Sequence, residues 1–246
     1  MLAKSRVKYI QTLGQKKFRE EERVFLAETP KLVNELLKEP SAKFIELFAT
    51  QDWMDHHPVM DQGFPITLIS KMELDRISNL QSPQEVVAII RQFEWQTSIN
   101  GKDEISLVLD NIQDPGNLGT IIRVADWFGV KQVICSEDSA DLYNAKVVQA
   151  TMGSISRVPV IYTDLREWLD KPHETEIYAA TLDGKDLFAF NRQEGAILMI
   201  GNESRGINDS LIQLASSRLK IPGKGRAESL NAAVATGIIL SHFFKG

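Results

Sequence analysis

Three short segments combine glycine, asparagine and a charged residue at points where apolar runs end. The first runs Asp110-Asn111-Ile112-Gln113-Asp114-Pro115-Gly116-Asn117-Leu118-Gly119 and on to Arg123. The second is Ile200-Gly201-Asn202-Glu203-Ser204-Arg205-Gly206, and the third is Ile221-Pro222 followed by Ser229-Leu230-Asn231. An open α/β sheet holds its ligand in the crevice beyond the carboxyl ends of its strands, which is where such turns fall. In the first segment Asn117, Leu118 and Gly119 open a helix, and a helix start presents unpaired N–H groups that favour an anion. At about 100° per residue, Leu118, Ile121, Ile122, Ala125 and Phe128 form the buried stripe, while Gly119, Arg123 and Asp126 share the other side. Arg123 is then placed to grip a phosphate in bidentate fashion, with Gly119 leaving room for the approach. The competing explanation is a surface pair between Arg123 and Asp126, with Asn117 as a plain N-cap.

In the second segment Gly201 and Gly206 permit close backbone approach to a ligand. Glu203 is the only acid there, and two roles are open to it: a hydrogen bond to a hydroxyl or amine, or a cap on a helix beginning near Asn208. The spacing of a dinucleotide fingerprint is absent. The third segment is glycine-rich and basic through Gly223-Lys224-Gly225-Arg226, but it lacks the four-residue gap and the Gly-Lys-Ser/Thr triplet of a phosphate loop. Asn231 stands in the first turn of a helix rich in small residues (Ala232, Ala233, Ala235, Gly237), either as a backbone cap or as a ligand contact. His56, His57, His173 and His242 form no metal-ligand or triad pattern, so no metal site is expected.

Regular elements must hold these turns in place. Ile105 to Leu109, Lys131 to Cys135, Val158 to Tyr162, Ile177 to Thr181 and Ala196 to Ile200 are apolar strand-like runs. Helical stretches at Leu118 to Phe128, Ala145 to Met152, Asp164 to Leu169, Asp209 to Ala215 and Leu230 to Phe244 separate or follow them. Strands that are apolar throughout and alternate with helices predict a parallel sheet covered on both faces. Before them, one amphipathic helix is expected around Val7, Ile10, Leu13 and Phe18, and another opened by Pro30 over Lys31 to Lys38. Short apolar runs follow at Lys43 to Ala49, Ile66 to Ser70 and Glu85 to Phe93. The polar stretch Gln96 to Asp103, with its Asn-Gly turn, is the expected boundary between a small α/β domain (1–100) and a larger one (101–246).

The 246 residues suit two domains, and no run is apolar enough for a membrane helix. The N-terminus lacks a secretory apolar core, so a cytoplasmic location is expected. Cys135 is the only cysteine, which excludes an internal disulfide and favours a buried inert thiol. A net charge of −5 argues against indiscriminate coating of nucleic acid. Any polyanion must meet a local patch, and Lys16, Lys17 and Arg19 within a basic N-terminal segment offer one. A solvated amphipathic helix explains the same charges.

Taken together, Asn111, Asn117, Gly119 and Arg123, then Gly201, Asn202, Glu203 and Gly206, then Ile221, Pro222, Ser229, Leu230 and Asn231 resemble the SpoU family of RNA ribose 2′-O-methyltransferases. The likeness covers residues 105 to 246, and the part before it resembles a ribosomal-protein-L30e-like RNA-binding domain. What the resemblance implies is an α/β fold with a deep C-terminal trefoil knot, an exception to the rule against threading. S-adenosylmethionine would be bound by Gly201, Ile221 and Leu230, with Thr181, Leu182 and Glu203 nearby. The partner would be structured RNA, ribosomal or transfer. The protein would be a homodimer with a composite site in which Arg123 works beside the cofactor of the other subunit. Arg123 would be catalytic, Asn117, Ser229 and Asn231 would hold the nucleotide, and Glu203 would organise the second motif. Two departures stand out: Gly223 where the family often has Met, and Glu28-Thr29 where it often has Glu-Gly. The rival functions are a knotted RNA-binding protein without turnover and a nucleotide-binding regulator on an ordinary doubly wound sheet.

Overall fold

A strand whose side chains are apolar on both faces needs cover on both, and the second half of the chain supplies six strands, of which the central three are buried along most of their length. The computed structural model describes residues 1–57, 63–191 and 194–244. In chain order the elements are α1 (Lys4–Thr12), α2 (Lys16–Glu22), β1 (Val24–Glu28), α3 (Pro30–Leu37), β2 (Phe44–Ala49), α4 (Gln51–His56), β3 (Ile66–Leu68), α5 (Lys71–Ile77) and β4 (Val86–Arg91). There follow β5 (Ile105–Asp110), α6 (Pro115–Trp127), β6 (Gln132–Cys135), α7 (Ala145–Thr151), β7 (Val160–Tyr162), α8 (Leu165–Leu169), β8 (Ile177–Asp186), β9 (Ala196–Gly201), α9 (Asp209–Ile212), β10 (Ser217–Lys220) and α10 (Ala232–Phe243).

Two compact units result. The first joins Met1–Glu94 to Tyr143–Ser156, and the second joins Trp95–Leu142 to the described residues from Arg157 onward. In the first unit the sheet order is β1-β4-β2-β3, with β4 antiparallel to β1 and β2, and β3 parallel to β2. Val7, Ile10, Leu26, Phe48, Leu74 and Ile89 share its core. The single helix expected at the start is two, α1 and α2, because the chain turns at Leu13, Gly14 and Gln15. Sequence periodicity misses α5, although Ser70 and Glu73 carry the spacing of a capping box. Ser70 Oγ accepts from Glu73 N, and Glu73 accepts from Ser70 N. Those donors, with the N–H of Leu2, pull the Glu73 carboxyl down to about 2.

The sequence places the α7 segment in the C-terminal domain, yet it packs with the first unit. Val147, Val148 and Thr151 are buried, and Ala145, Val148 and Gln149 line one small void with Leu26, Glu28 and Leu32. A short amphipathic helix takes cover wherever an apolar face is open, and its place in the chain does not dictate which sheet supplies it.

In the second unit the sheet order is β10-β8-β9-β5-β6-β7 and every pairing is parallel, as the alternation of apolar strands and helices predicts. Asn100 ties the incoming chain down: it is fully buried and its Nδ2 donates to the Glu104 carbonyl at 2.6 Å and to Thr175 Oγ1 at 3.1 Å. The strand β10 escapes sequence reading because only Leu219 of its four residues is buried. Cys135 lies buried in β6, and burial pushes its thiol far up. The helix α10 packs on α6 through small residues, so that a Cβ built on Gly237 would stand 4.0 Å from Val124 Cγ1. Among the described residues no helix is long and apolar enough to cross a membrane.

Candidate active site

The carboxyl ends of β5 and β9 are neighbours, with Asp110 beside Gly201, so the first two motifs leave the sheet side by side. The third arrives at the start of α10. Asn117, Glu203 and Asn231 meet there: Asn117 Nδ2 donates to Glu203 Oε1, and Asn231 Nδ2 donates to Asn117 Oδ1 at 2.7 Å. The backbone N–H of Ala232 also donates to Glu203 Oε1, at 3.4 Å. Both ends of the Asn117 amide are therefore engaged, which fixes its orientation.

Further bonds hold the loops that carry this trio. Asn202 Nδ2 donates to the Asn111 carbonyl at 3.0 Å, while Asn202 Oδ1 accepts from the N–H groups of Ser204 and Arg205. Asn111 adopts a left-handed φ of 57°, tolerable for asparagine, and its N–H donates to Ser136 Oγ at 2.8 Å. Asp110 Oδ2 accepts from Asn208 N at 2.7 Å. Burial nonetheless holds its carboxyl above the usual range, against the lowering by that N–H. Residue 201 must be glycine, because a Cβ there would collide with the backbone of Gly206 and Ile207. Sequence reasoning gives no role to Asn111, Asn202 and Asp110. Two asparagines and an aspartate at strand ends are the available signal.

Asp114, not Asn117, caps α6: its Oδ1 accepts from Asn117 N at 2.7 Å, so that N–H is not open to an anion. Asn208 caps α9, which leaves Glu203 free to face Asn117. Asn231 fills both of its candidate roles, since its Oδ1 accepts from Ala233 N and Val234 N while its Nδ2 reaches Asn117. Gly119 is buried and does not lie on the open side of α6, because a helix covered by α10 as well as by the sheet buries more than one stripe. Asp126 pairs with Arg157 at 2.8 Å, so it does not serve Arg123.

Arg123 is exposed, and among the described residues it makes no ion pair or hydrogen bond. Six residues separate it from Asn117, which sets it about 9 Å along α6 and about 120° around it. It makes no hydrogen bond to any member of the trio in its own chain. Ser229 is exposed in the segment before α10, Ile221 and Thr181 are half-buried, and Leu182 and Leu230 are 68% and 44% exposed. On α2, Lys16 and Lys17 are exposed, with Lys16 paired to Glu20 at 3.5 Å. Arg19 does not join them at the surface: it is 5% exposed, and its Nη1 donates to the carbonyls of Leu13 and Gly14 at 2.9 and 2.8 Å. The end of α1 leaves carbonyls that need donors, and Arg19 supplies them.

Comparison with known proteins agrees with this geometry. The model of the SpoU rRNA Methylase family matches residues 104–241, and that of the MRM3-like substrate binding domain matches residues 4–88. The 23S rRNA (guanosine(2553)-2′-O)-methyltransferase RlmP of Bacillus subtilis is 30% identical over 240 residues, covering 96% of this chain and 95% of its own. An AdoMet-bound rRNA methyltransferase from Sinorhizobium meliloti superposes with a TM-score of 0.85 at 32% identity, over 99% of this chain and 95% of that one. The SpoU methyltransferase AviRb of Streptomyces viridochromogenes shares the fold, with a TM-score of 0.81 at 22% identity over 98% and 97% of the two chains. With its family model covering more than half of the sequence and its motif residues joined at one place, the chain belongs to the SpoU rRNA methylase family.

Proposed function

We propose that this protein transfers a methyl group from S-adenosylmethionine to the 2′-hydroxyl of a ribose in structured RNA, ribosomal RNA before transfer RNA. The observation that carries the reading is the meeting of Asn117, Glu203 and Asn231, drawn from three separate motifs into one hydrogen-bonded set. The residues present fit the cofactor. Leu182 and Leu230, apolar and exposed, offer surface that an adenine ring would cover, while the side of Gly201 that a Cβ would occupy is taken by the backbone of Gly206 and Ile207, so Gly201 offers the cofactor its own backbone groups and not an opening. Bound there, the cofactor supplies a methyl carbon activated by its sulfonium.

The chain's own residues orient the acceptor and manage charge. Asn117, Ser229 and Asn231 hold the nucleotide, with Glu203 keeping the two asparagines in register. A guanidinium keeps its proton under ordinary conditions. Arg123 therefore binds the phosphate beside the target ribose and stabilises the alkoxide as the hydroxyl proton passes to water. Because Arg123 is exposed and engages neither the trio nor any other group of its own chain among the described residues, we infer a homodimer in which it completes the site of the partner subunit. The same side of α6 supports this, since Trp127, one turn beyond Arg123, is 85% exposed, and Val234 on the packed helix α10 is 52% exposed. A deep C-terminal trefoil knot, an L30e-like RNA-binding role for the first unit through Lys16 and Lys17, and a cytoplasmic setting belong to the same proposal.

The test is direct. Calorimetry with S-adenosylmethionine, followed by transfer of labelled methyl to ribosomal RNA and mapping of the modified ribose, is expected to give binding and one 2′-O-methylated position. Absence of cofactor binding to the folded protein refutes the reading. Cofactor binding without transfer to ribosomal or transfer RNA favours the non-catalytic alternative.

A further inference from the structure

The segment between β10 and α10 holds a basic element that neither the trio nor the cofactor contacts use. From Pro222 to Asn231 every residue is exposed. Within it Lys224 stands between Gly223 and Gly225, and Arg226 follows. Among the described residues neither cation is ion-paired, whereas Arg218 on β10 is bound to Asp183 at 3.0 Å. The only acid in the segment is Glu228. Lysine on an edge strand is ordinarily explained as protection against edge pairing, and Lys220 on β10 fits that account. Lys224 and Arg226 lie beyond the strand and do not.

The flanking glycines sharpen the point. Neither has a positive φ, and a Cβ on either would meet nothing within 4 Å. Sterics do not require glycine at 223 or 225, although glycine raises the entropy lost when a loop is ordered. What it gives is a bare, adaptable backbone on each side of one lysine, suited to a ligand that is long and negatively charged. The chain as a whole carries a charge of −5, so such a ligand must be attracted locally. The position is favourable: at about 3.5 Å per residue, Arg226 lies within about 18 Å of Asn231 and Lys224 within about 25 Å.

We infer that Lys224 and Arg226 grip the phosphodiester backbone of the substrate RNA within a few nucleotides of the ribose held by Asn117 and Asn231. This rests on the RNA-methyltransferase reading above. The two cations position RNA and do not react. The alternative use, pairing with the carboxylate of the cofactor, makes a different prediction.

The experiment compares the full-length wild type with Lys224→Gln/Arg226→Gln and with the charge-preserving Lys224→Arg/Arg226→Lys. RNA affinity is measured against salt, cofactor affinity by calorimetry, and methyl transfer against RNA concentration. With roughly 0.7 to 0.9 of salt slope per phosphate contact, the neutral variant is expected to lose about 1.5 from the slope of log affinity against log salt. Its KM for RNA is expected to rise about tenfold, with cofactor affinity and melting temperature unchanged and the charge-preserving variant close to wild type. An unchanged salt slope overturns the inference, and so does a parallel fall in cofactor affinity. Failure of the wild type itself to transfer methyl to RNA strikes the functional reading instead.

Discussion

Asn117 and Asn231, more than a hundred positions apart in sequence, are joined side chain to side chain by a 2.7 Å hydrogen bond that closes the site between α6 and α10. The two residues differ in what else they hold. Asn231 also caps α10, whereas α6 is capped by Asp114. Asn231→Ser keeps a capping oxygen but cannot reach Asn117, so unfolding free energy is expected to stay within about 0.5 kcal/mol of wild type. Methyl transfer is expected to fall at least about tenfold in Asn117→Ala and in Asn231→Ser, and the double variant to lose less than the product of the two. Multiplicative losses would show that the bond does not couple them.

Arg123→Ala is expected to leave cofactor affinity and melting temperature nearly intact, because the side chain is exposed and without a partner among the described residues. Methyl transfer should fall by at least about 100-fold, the scale of a lost catalytic group. Mixing Arg123→Ala with Asn117→Ala protein tests the composite site. Mixed dimers carry one centre with both wild-type residues only if the arginine acts across the interface, and recovered activity is the expected result.

Thr29 sits at φ 83° and ψ 140°, a conformation close to one that belongs almost wholly to glycine. It makes no side-chain cap on α3, so glycine would sacrifice no such bond. Thr29→Gly is expected to raise unfolding free energy by about 1 kcal/mol in denaturant titration, strain relief of roughly 1–3 kcal/mol exceeding the added chain entropy. A destabilised variant would mean that the buried threonine packs better than its backbone suggests.

Glu28 is a buried carboxyl that accepts from Ser78 Oγ and from the N–H and Nδ2 of Asn79. Burial raises it above the ordinary value of 4.5 despite those donors. The native state then binds the proton more tightly than the unfolded chain, and stability falls as pH rises from the ordinary glutamate range through the raised native value. Glu28→Gln removes this dependence. The stability of wild type relative to the variant should decline over that window and level off above it, read from denaturant unfolding at stepped pH. Parallel curves would refute the assignment.

Neutralising Lys16 and Lys17 with glutamine should weaken RNA binding and flatten its salt dependence with the fold intact. Arg19→Gln should behave differently, costing about 1–3 kcal/mol of stability because the buried Leu13 carbonyl, and with it that of Gly14, loses its donor. Equal salt slopes for wild type and the double lysine variant would remove this patch from the interface.

The parallel sheet was legible because β9 is apolar throughout and β5 and β6 are apolar along most of their length. The strand β10, Ser-Arg-Leu-Lys, was not, since an edge strand buries one face and only Leu219 shows it. Helix faces were read well where one neighbour covers them, and less well at Gly119, where a second helix adds burial that no periodicity encodes. The motifs pointed to Asn117, Glu203 and Asn231, which meet. They did not tell that Asp114 and Asn208 take the capping roles and so leave Asn117 and Glu203 facing each other. Charge alone could not separate Arg19 from Lys16 and Lys17, because what turns it inward is a pair of carbonyls left open at the end of a preceding helix.

The assignment of α7 to the first unit bears on how the chain is born. When Glu94 leaves the ribosome, β1 and α3 are complete, but Ala145 and Val148 have not yet been made. The nascent first unit therefore waits with the apolar face around Leu26 and Leu32 uncovered. A polypeptide severed at the linker keeps that face open permanently, and the first half expressed by itself should be aggregation-prone until Tyr143–Ser156 is supplied in trans.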